Sequence, residues 1–368
     1  MVGVVVFILV LLILVLVHEW GHFAAARLFG VGVEEFGFGF PPAIARRQWG
    51  NTTYSFNWLP LGGFVRIKGE ERVVNEADSF SAQRPSRRAA IILAGVAMNV
   101  LLTILLLTIG FNLGLPQDLS QEAPDGAIVS QVRHHVVEVL PGSPAAGRLE
   151  ANDAIVTIDG QAFATLVELQ RYIRSHGQQQ LLLSVERGDR TMIAAITPTL
   201  LTAGGEERYG IGVGLFTTGE VSYPWYRTPF EAIRLTGDLF VRIVQTMWQA
   251  ATDLWYGRGA SVDVAGPVGI AVITSQVTKL GFVYLVQFVA LLSLNLAFIN
   301  LLPFPALDGG RLLFIVLEVL RGKAVDENLE ARMHRWGFTV LLLVVLFVTY
   351  LDVHRLSSLF REWFGRAG

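Results

Sequence analysis

The chain contains no cysteine in its 368 residues. That excludes disulfides and removes thiolates from the possible metal ligands. Charge is scarce as well. Asp, Glu, Lys and Arg make up 16% of the residues, whereas a soluble protein of this length carries about 25%. The formal net charge is −2, so nothing in the balance favours a nucleic-acid partner. The rest of the chain is largely apolar, with 52% hydrophobic residues and a mean hydropathy of +0.49. Because clearly polar stretches separate the apolar ones, the composition reads as a membrane protein with a soluble part.

Four stretches are apolar enough to span a bilayer, which takes about 20 residues each. They are Val2 to about Ala26, Ala89 to Leu115, roughly Phe282 to Leu302, and Gly337 to Leu351. The second carries Asn99 and Asn112 as its main polar residues, and the third continues through a Pro-rich break into Leu312–Leu320. The first has no basic leader and no small-residue cleavage site after its apolar core, so it reads as a retained transmembrane helix rather than a signal peptide.

The intervening segments differ in period. From Val31 to Lys68 the runs Phe36-Gly37-Phe38-Gly39-Phe40 and Thr53-Tyr54-Ser55-Phe56-Asn57-Trp58 alternate as strands do. They predict a small sheet beside or within the membrane, buried in protein or lining a wet cavity. Residues 117–201 read as a soluble domain, with strands at Ala127–Val132, Ala154–Ile158, Leu181–Val185 and Met192–Ile196 and one helix at Leu166–Ser175. Pro141-Gly142-Ser143-Pro144-Ala145 predicts a turn and a helix start. Residues 202–281 read as a linker with an amphipathic helix over Tyr223–Trp255. Its aromatic ends fit a helix lying in the membrane interface or one packed on the soluble domain. Residues 1–115 hold the first two spans and the strand region, and residues 282–368 hold the last two spans.

Basic residues set an orientation. Arg27, Arg46, Arg47, Arg66, Lys68, Arg72, Arg84, Arg87 and Arg88 follow the first span, and Arg321, Lys323, Arg332 and Arg335 precede the fourth. The positive-inside rule places both loops in the cytoplasm and the soluble domain outside. Arg355, Arg361 and Arg366 near the other end oppose that assignment slightly.

Ionisable residues within an apolar span mark a function, and the first span ends in His18-Glu19-Trp20-Gly21-His22. Residues four apart share a helix face. His18 and His22 can therefore hold one Zn2+, with Glu19 beside it as general base. A catalytic zinc takes three protein ligands and keeps one position open. No third ligand follows at the usual spacing. Asp308, in Leu307-Asp308-Gly309-Gly310, is the best candidate, with the two glycines letting the backbone turn close to the metal. Asp308 can also serve as the N-cap of the helix that follows.

HEWGH in the first span together with Asn300-Leu301-Leu302-Pro303-Phe304-Pro305-Ala306-Leu307-Asp308-Gly309-Gly310 in a late one resembles the site-2 protease family of intramembrane zinc metalloproteases, peptidase family M50. The branch it most resembles is that of the bacterial regulator-of-sigma-E protease. Gly62-Gly63-Phe64-Val65, Ala94-Gly95-Val96-Ala97-Met98-Asn99 and Gly266-Pro267-Val268-Gly269-Ile270 extend the likeness in order along the chain. The resemblance implies a polytopic α-helical membrane protein of about four transmembrane helices, a membrane-associated β-hairpin region and a single inserted PDZ-like α+β domain outside the cytoplasm. It implies His18, His22 and Asp308 as zinc ligands and Glu19 as the catalytic acid/base.

The resemblance also implies that Asn295 and Asn300 help to bind an unwound substrate, although hydrogen bonding between helices would serve an intramembrane Asn equally well. Gly142–Gly147 and Asn152–Gly160 carry the PDZ likeness. Asn152 stands where the family usually has Gly, and Asn tolerates the left-handed turn required there. Such a domain would bind substrate ectodomains or act as a size filter, unless its groove is unused. His134 and His135 are read as surface or strand residues, not ligands.

The implied activity is cleavage of transmembrane segments, with anti-sigma factors or remnant signal peptides as the substrate classes, in a multi-pass protein of the bacterial inner membrane. The implied active site faces the cytoplasmic side. Two other readings stand beside it: a non-proteolytic zinc transporter, which lacks a second relay of His or charged residues, and a PDZ-bearing scaffold, which would not need an intact Glu19.

Overall fold

The computed structural model describes residues 2–70, 72, 74, 76–120, 124–188, 190–203, 206–258, 265–323 and 325–365; Arg366 lies outside them. The chain divides into two compact units, Thr108–Pro229 and the remainder, Met1–Leu107 with Phe230–Gly368.

Helix α1 (Val2–Leu28) begins the larger unit. Its buried residues are Val10, Leu14, His18, His22 and Ala26, with Gly21 beside them. Steps of four keep that row on one face. Strands β1 (Val33–Trp49) and β2 (Thr52–Ile67) follow, each long and irregular in register. Phe36 pairs with both Tyr54 and Val65, and Phe38 with both Phe56 and Gly63. The start of β1 therefore lies between two segments of β2, and residues 63–67 form an outer edge. Helix α2 (Pro85–Leu113) packs tightly on α1: a Cβ at Gly21 would lie 2.3 Å from the Ala94 carbonyl oxygen.

The smaller unit contains β3 (Leu115–Asp118), β4 (Ile128–Val139), β5 (Ala154–Ile158), α3 (Leu166–Ser175), β6 (Leu181–Arg187), β7 (Arg190–Ile196), β8 (Thr199–Ala203), β9 (Glu206–Gly210) and β10 (Val213–Ser222). Six strands form one antiparallel sheet in the order β3-β10-β4-β5-β6-β7. Ile155, Ile158, Leu169, Leu183, Val185 and Ile196 centre its core. Thr165 caps α3, accepting from the Glu168 N–H, while Glu168 Oε2 accepts from the Ala164 N–H. Asn152 adopts φ 75°, the left-handed conformation expected of it.

Two expectations for this unit need correction. Residues 141–148 form a run of turns held by Ser143, Ala146 and Arg148 N–H groups, with no helix start. The stretch after 201, expected as linker, includes β10, the strand that joins β3 to β4. Its Val213-Gly214-Leu215-Phe216 alternation is short and Gly-interrupted, which hid its period.

The larger unit resumes within α4 (Thr228–Trp255), followed by α5 (Pro267–Leu280), α6 (Phe282–Leu301), α7 (Asp308–Arg321) and α8 (Glu327–Gly365). Phe240 of α4 meets Phe298 of α6 edge to face at 5.9 Å. Among the described residues four helices are long and apolar enough to cross a membrane: Val2–Leu28, Pro85–Leu113, Phe282–Leu301 and Glu327–Arg355. The fourth starts earlier than its apolar core at Gly337, because Glu327 to Trp336 contain no helix breaker. Asp352 of α8 accepts from the Gly269 N–H at 2.7 Å and the Gly266 N–H at 3.2 Å, covering the free donors at the start of α5.

Candidate metal centre

His18 and His22 project from the buried row of α1, and Asp308 opens α7. Asp308 Oδ2 lies 3.0 Å from His18 Nε2 and 3.3 Å from His22 Nε2, and the two nitrogens are 3.2 Å apart. Donors on a tetrahedral ion with bonds of about 2.0 Å stand about 3.3 Å from one another. The triangle therefore has the size of one face of such a polyhedron. Asp308 Oδ2 is buried without a hydrogen-bond partner. A desolvated carboxylate oxygen in that position needs a cation, and two imidazoles and a carboxylate are a donor set suited to zinc.

The loop ahead of α7 brings Asp308 into place. Leu307 is the N-cap and makes no side-chain cap bond, so Asp308 is already helical and not the N-cap. Its side chain remains free to point at the histidines. Gly309 and Gly310 are required by close approach, not by an unusual turn. A Cβ on Gly309 would lie 2.2 Å from the Leu302 carbonyl oxygen, and one on Gly310 would lie 2.3 Å from that of Phe304. The left-handed residue is Ala306, φ 85°, whose N–H donates to His334 Nδ1 of α8 at 3.0 Å.

Helix α2 lines the back of the centre. The Ile91 carbonyl oxygen accepts from His22 Nδ1 at 2.9 Å. Asn99 places its amide 3.3 Å from His18 Nδ1. Between them a Cβ on Gly95 would lie 2.3 Å from His22 Nε2 and 2.9 Å from His18 Cε1. Glu19 is half-buried, and its Oε2 accepts from the Val65 N–H on the edge segment of β2 at 3.1 Å.

Asn295 is exposed on α6, and its Nδ2 donates to the Leu291 carbonyl of its own helix at 3.0 Å. Asn300 is half-buried near the end of α6. His134 is buried in β4, bonded to Thr217 Oγ1 at 2.7 Å and the Phe163 carbonyl at 3.3 Å, so it is a strand residue but not a surface one. Sequence reasoning missed the Val65 N–H and the Ile91 carbonyl. Both are backbone groups, and no residue type announces them.

Residues 6–344 match the model of peptidase family M50. The chain belongs to that family. The zinc metalloprotease RasP of Geobacillus kaustophilus is 30% identical over 446 aligned residues, spanning 96% of this chain and 98% of its own. A relative from Nostoc sp. is 32% identical over 371 residues, 97% of each chain. The PDZ domain of an SdrC-like protein from Listeria innocua is 30% identical over 23% of this chain and 92% of its own, with a TM-score of 0.21.

Proposed function

We propose that this M50 member is a zinc metalloendopeptidase that hydrolyses peptide bonds within transmembrane segments of other membrane proteins. The observation that carries the reading is the triangle of His18 Nε2, His22 Nε2 and Asp308 Oδ2, with Glu19 on the intervening turn of the same helix. His18, His22 and Asp308 would hold the ion. Zinc bound there lowers the pKa of a coordinated water to about 7 and polarises a carbonyl.

Glu19 supplies the proton transfers. Its Oε2 is anchored by the Val65 N–H, which fixes the carboxylate beside the ligands. From there Glu19 takes the proton of the attacking water and returns it to the leaving amine. A helical substrate hides its peptide bonds and must be extended before it can be cut. Residues 63–67 supply an outer strand edge next to Glu19, on which an extended peptide can pair through main-chain hydrogen bonds. We assign Asn295 and Asn300 to the same task, their amides offering donors and acceptors to the opened substrate backbone.

In this reading the protein is a multi-pass inner-membrane enzyme, with the loops after the first span and before the fourth in the cytoplasm and the PDZ-like unit outside. Anti-sigma factors and signal-peptide remnants are the substrate classes to test first. The decisive experiment pairs metal analysis with cleavage of transmembrane substrates in purified, detergent-solubilised protein. One zinc per chain with cleavage that Glu19→Gln abolishes supports the proposal. Stoichiometric zinc without cleavage, with zinc uptake into sealed vesicles, favours a transporter, and absence of zinc favours a scaffold.

A further inference from the structure

Each imidazole ligand has two nitrogens, and a metal can take the lone pair of Nε2 only when the proton sits on Nδ1. That Nδ1–H then needs an acceptor, which fixes both the tautomer and the ring orientation. For His22 the acceptor is the backbone carbonyl of Ile91, at 2.9 Å. His18 has no backbone counterpart in the described contacts. Its Nδ1 faces the side-chain amide of Asn99 at 3.3 Å.

Asn99 is fully buried, and its Oδ1 has no hydrogen-bond partner. An amide nitrogen and oxygen exchange places by a half-turn about the last side-chain bond. That half-turn brings Oδ1 to the Nδ1–H of a metal-ready His18 and gives the orphaned oxygen its partner. The backbone of Asn99 is held independently of this choice. Its carbonyl accepts from Thr103 Oγ1 at 2.9 Å and from Ser293 Oγ of α6 at 2.8 Å. Ile91, Gly95, Asn99 and Thr103 form a row of steps of four along α2 and so share one face.

We infer that Asn99 is a positioning residue for the metal centre: its side-chain oxygen accepts from His18 Nδ1 and sets the tautomer that leaves Nε2 free to bind zinc. The inference rests on the reading of His18 as a ligand given above. It gives α2 a divided role, with Ile91 orienting one imidazole, Asn99 the other, and Gly95 leaving room for both.

The test compares zinc affinity, by competition with a chromophoric chelator, in wild type, Asn99→Leu, Asn99→Asp and His18→Ala. Leu matches Asn in size but has no acceptor, whereas Asp keeps an acceptor in the same place. Loss of an outer-shell partner weakens metal binding about 10- to 100-fold. Asn99→Leu should fall in that range, while Asn99→Asp stays within about threefold of wild type, a small part of that span. Thermal unfolding with and without chelator separates positioning from folding. Positioning reduces the zinc-dependent rise in Tm of Asn99→Leu and leaves the metal-free Tm near that of wild type. Wild-type affinity in Asn99→Leu, or equal losses in Leu and Asp, would overturn the inference. His18→Ala is the control for the underlying reading. If it binds zinc like wild type, the ligand assignment fails, whatever the Asn99 variants do.

Discussion

The Val65 N–H donates to Glu19 Oε2 across 3.1 Å, tying the carboxylate that stands between His18 and His22 in the sequence to the edge of a β-sheet. Glu19 is thus held by main chain, and in the proposed mechanism the strand edge that would receive a substrate also orients the general base. A Pro is tolerated on an edge strand but cannot donate. Val65→Pro should therefore lower kcat while leaving zinc content at one per chain. A hydrogen bond to a charged group contributes about 1.5–3 kcal/mol, so the expected loss is about 10- to 100-fold. Glu19→Gln, which removes the base itself, should lose about 10²- to 10⁴-fold. Cleavage rates on a transmembrane substrate, with zinc measured on the same samples, check both. Unchanged kcat in Val65→Pro would mean that the bond does not orient Glu19 for catalysis.

In the proposed metal centre Asp308 completes the donor set from α7. Asp308→Ala leaves two imidazoles and should drop zinc well below one per chain after dialysis, with the protein still folded. His22→Ala should do the same. Elemental analysis after gel filtration gives the answer, and full occupancy in Asp308→Ala would remove Asp308 from the ligand set.

Gly95→Ala makes two opposing predictions, and the sign distinguishes them. Helix propensity alone favours Ala over Gly by about 1 kcal/mol. The added methyl, however, would lie 2.3 Å from His22 Nε2 and 2.6 Å from its Cε1. The histidine must move, and the ligand triangle opens. Zinc affinity should fall even if the metal-free protein becomes slightly more stable. Chelator competition and thermal unfolding on one preparation read both effects.

In the smaller unit, burial pushes the Asp153 carboxyl up, but hydrogen bonds from Arg187 and the Glu150 N–H outweigh it and hold the group below the ordinary carboxylate range. Arg187 Nε and Nη2 meet the two carboxylate oxygens at 2.7 and 2.8 Å. With its pKa depressed on folding, Asp153 stabilises this unit above the unfolded value of about 4. That contribution fades as pH falls below it, through the folded value. Arg187→Ala should destabilise the unit near pH 7, as expected for a charged hydrogen bond lost, with a smaller effect below pH 4. Hydrogen exchange of β5 and β6 amides in the full chain, followed against pH, measures it. A mutational effect independent of pH would contradict the linkage.

The four spans were legible as long apolar runs, and the strands between the first two and helix 166–175 were legible because each follows one strong period. His18, Glu19 and His22 were legible because two imidazoles and a carboxylate in an apolar helix have few other uses. Asp308 stood out as a carboxylate just after a late apolar span, and the family likeness then supported it, since no local spacing links it to residues nearly three hundred positions away. The glycines beside it were rightly noticed but for the wrong physical reason: they admit neighbouring carbonyls, while Ala306 makes the left-handed turn. The Val65 and Ile91 contributions are main-chain groups, which take their role from register and helix packing and leave no trace in residue identity. The strand at Val213–Ser222 pairs with partners far away in sequence, so its place emerges only when the sheet closes.

If His18, His22 and Asp308 hold the ion as proposed, their separation along the chain also orders events during synthesis. A ribosome that has delivered the first two helices to the membrane has made a pair of histidines and a base, but no complete metal cage. In the proposed mechanism, hydrolytic competence waits until α7 has followed α6 into place. On that proposal a nascent or truncated chain that stops before residue 308 lacks one of the three ligands, and the order of the segments would act as a safety interval.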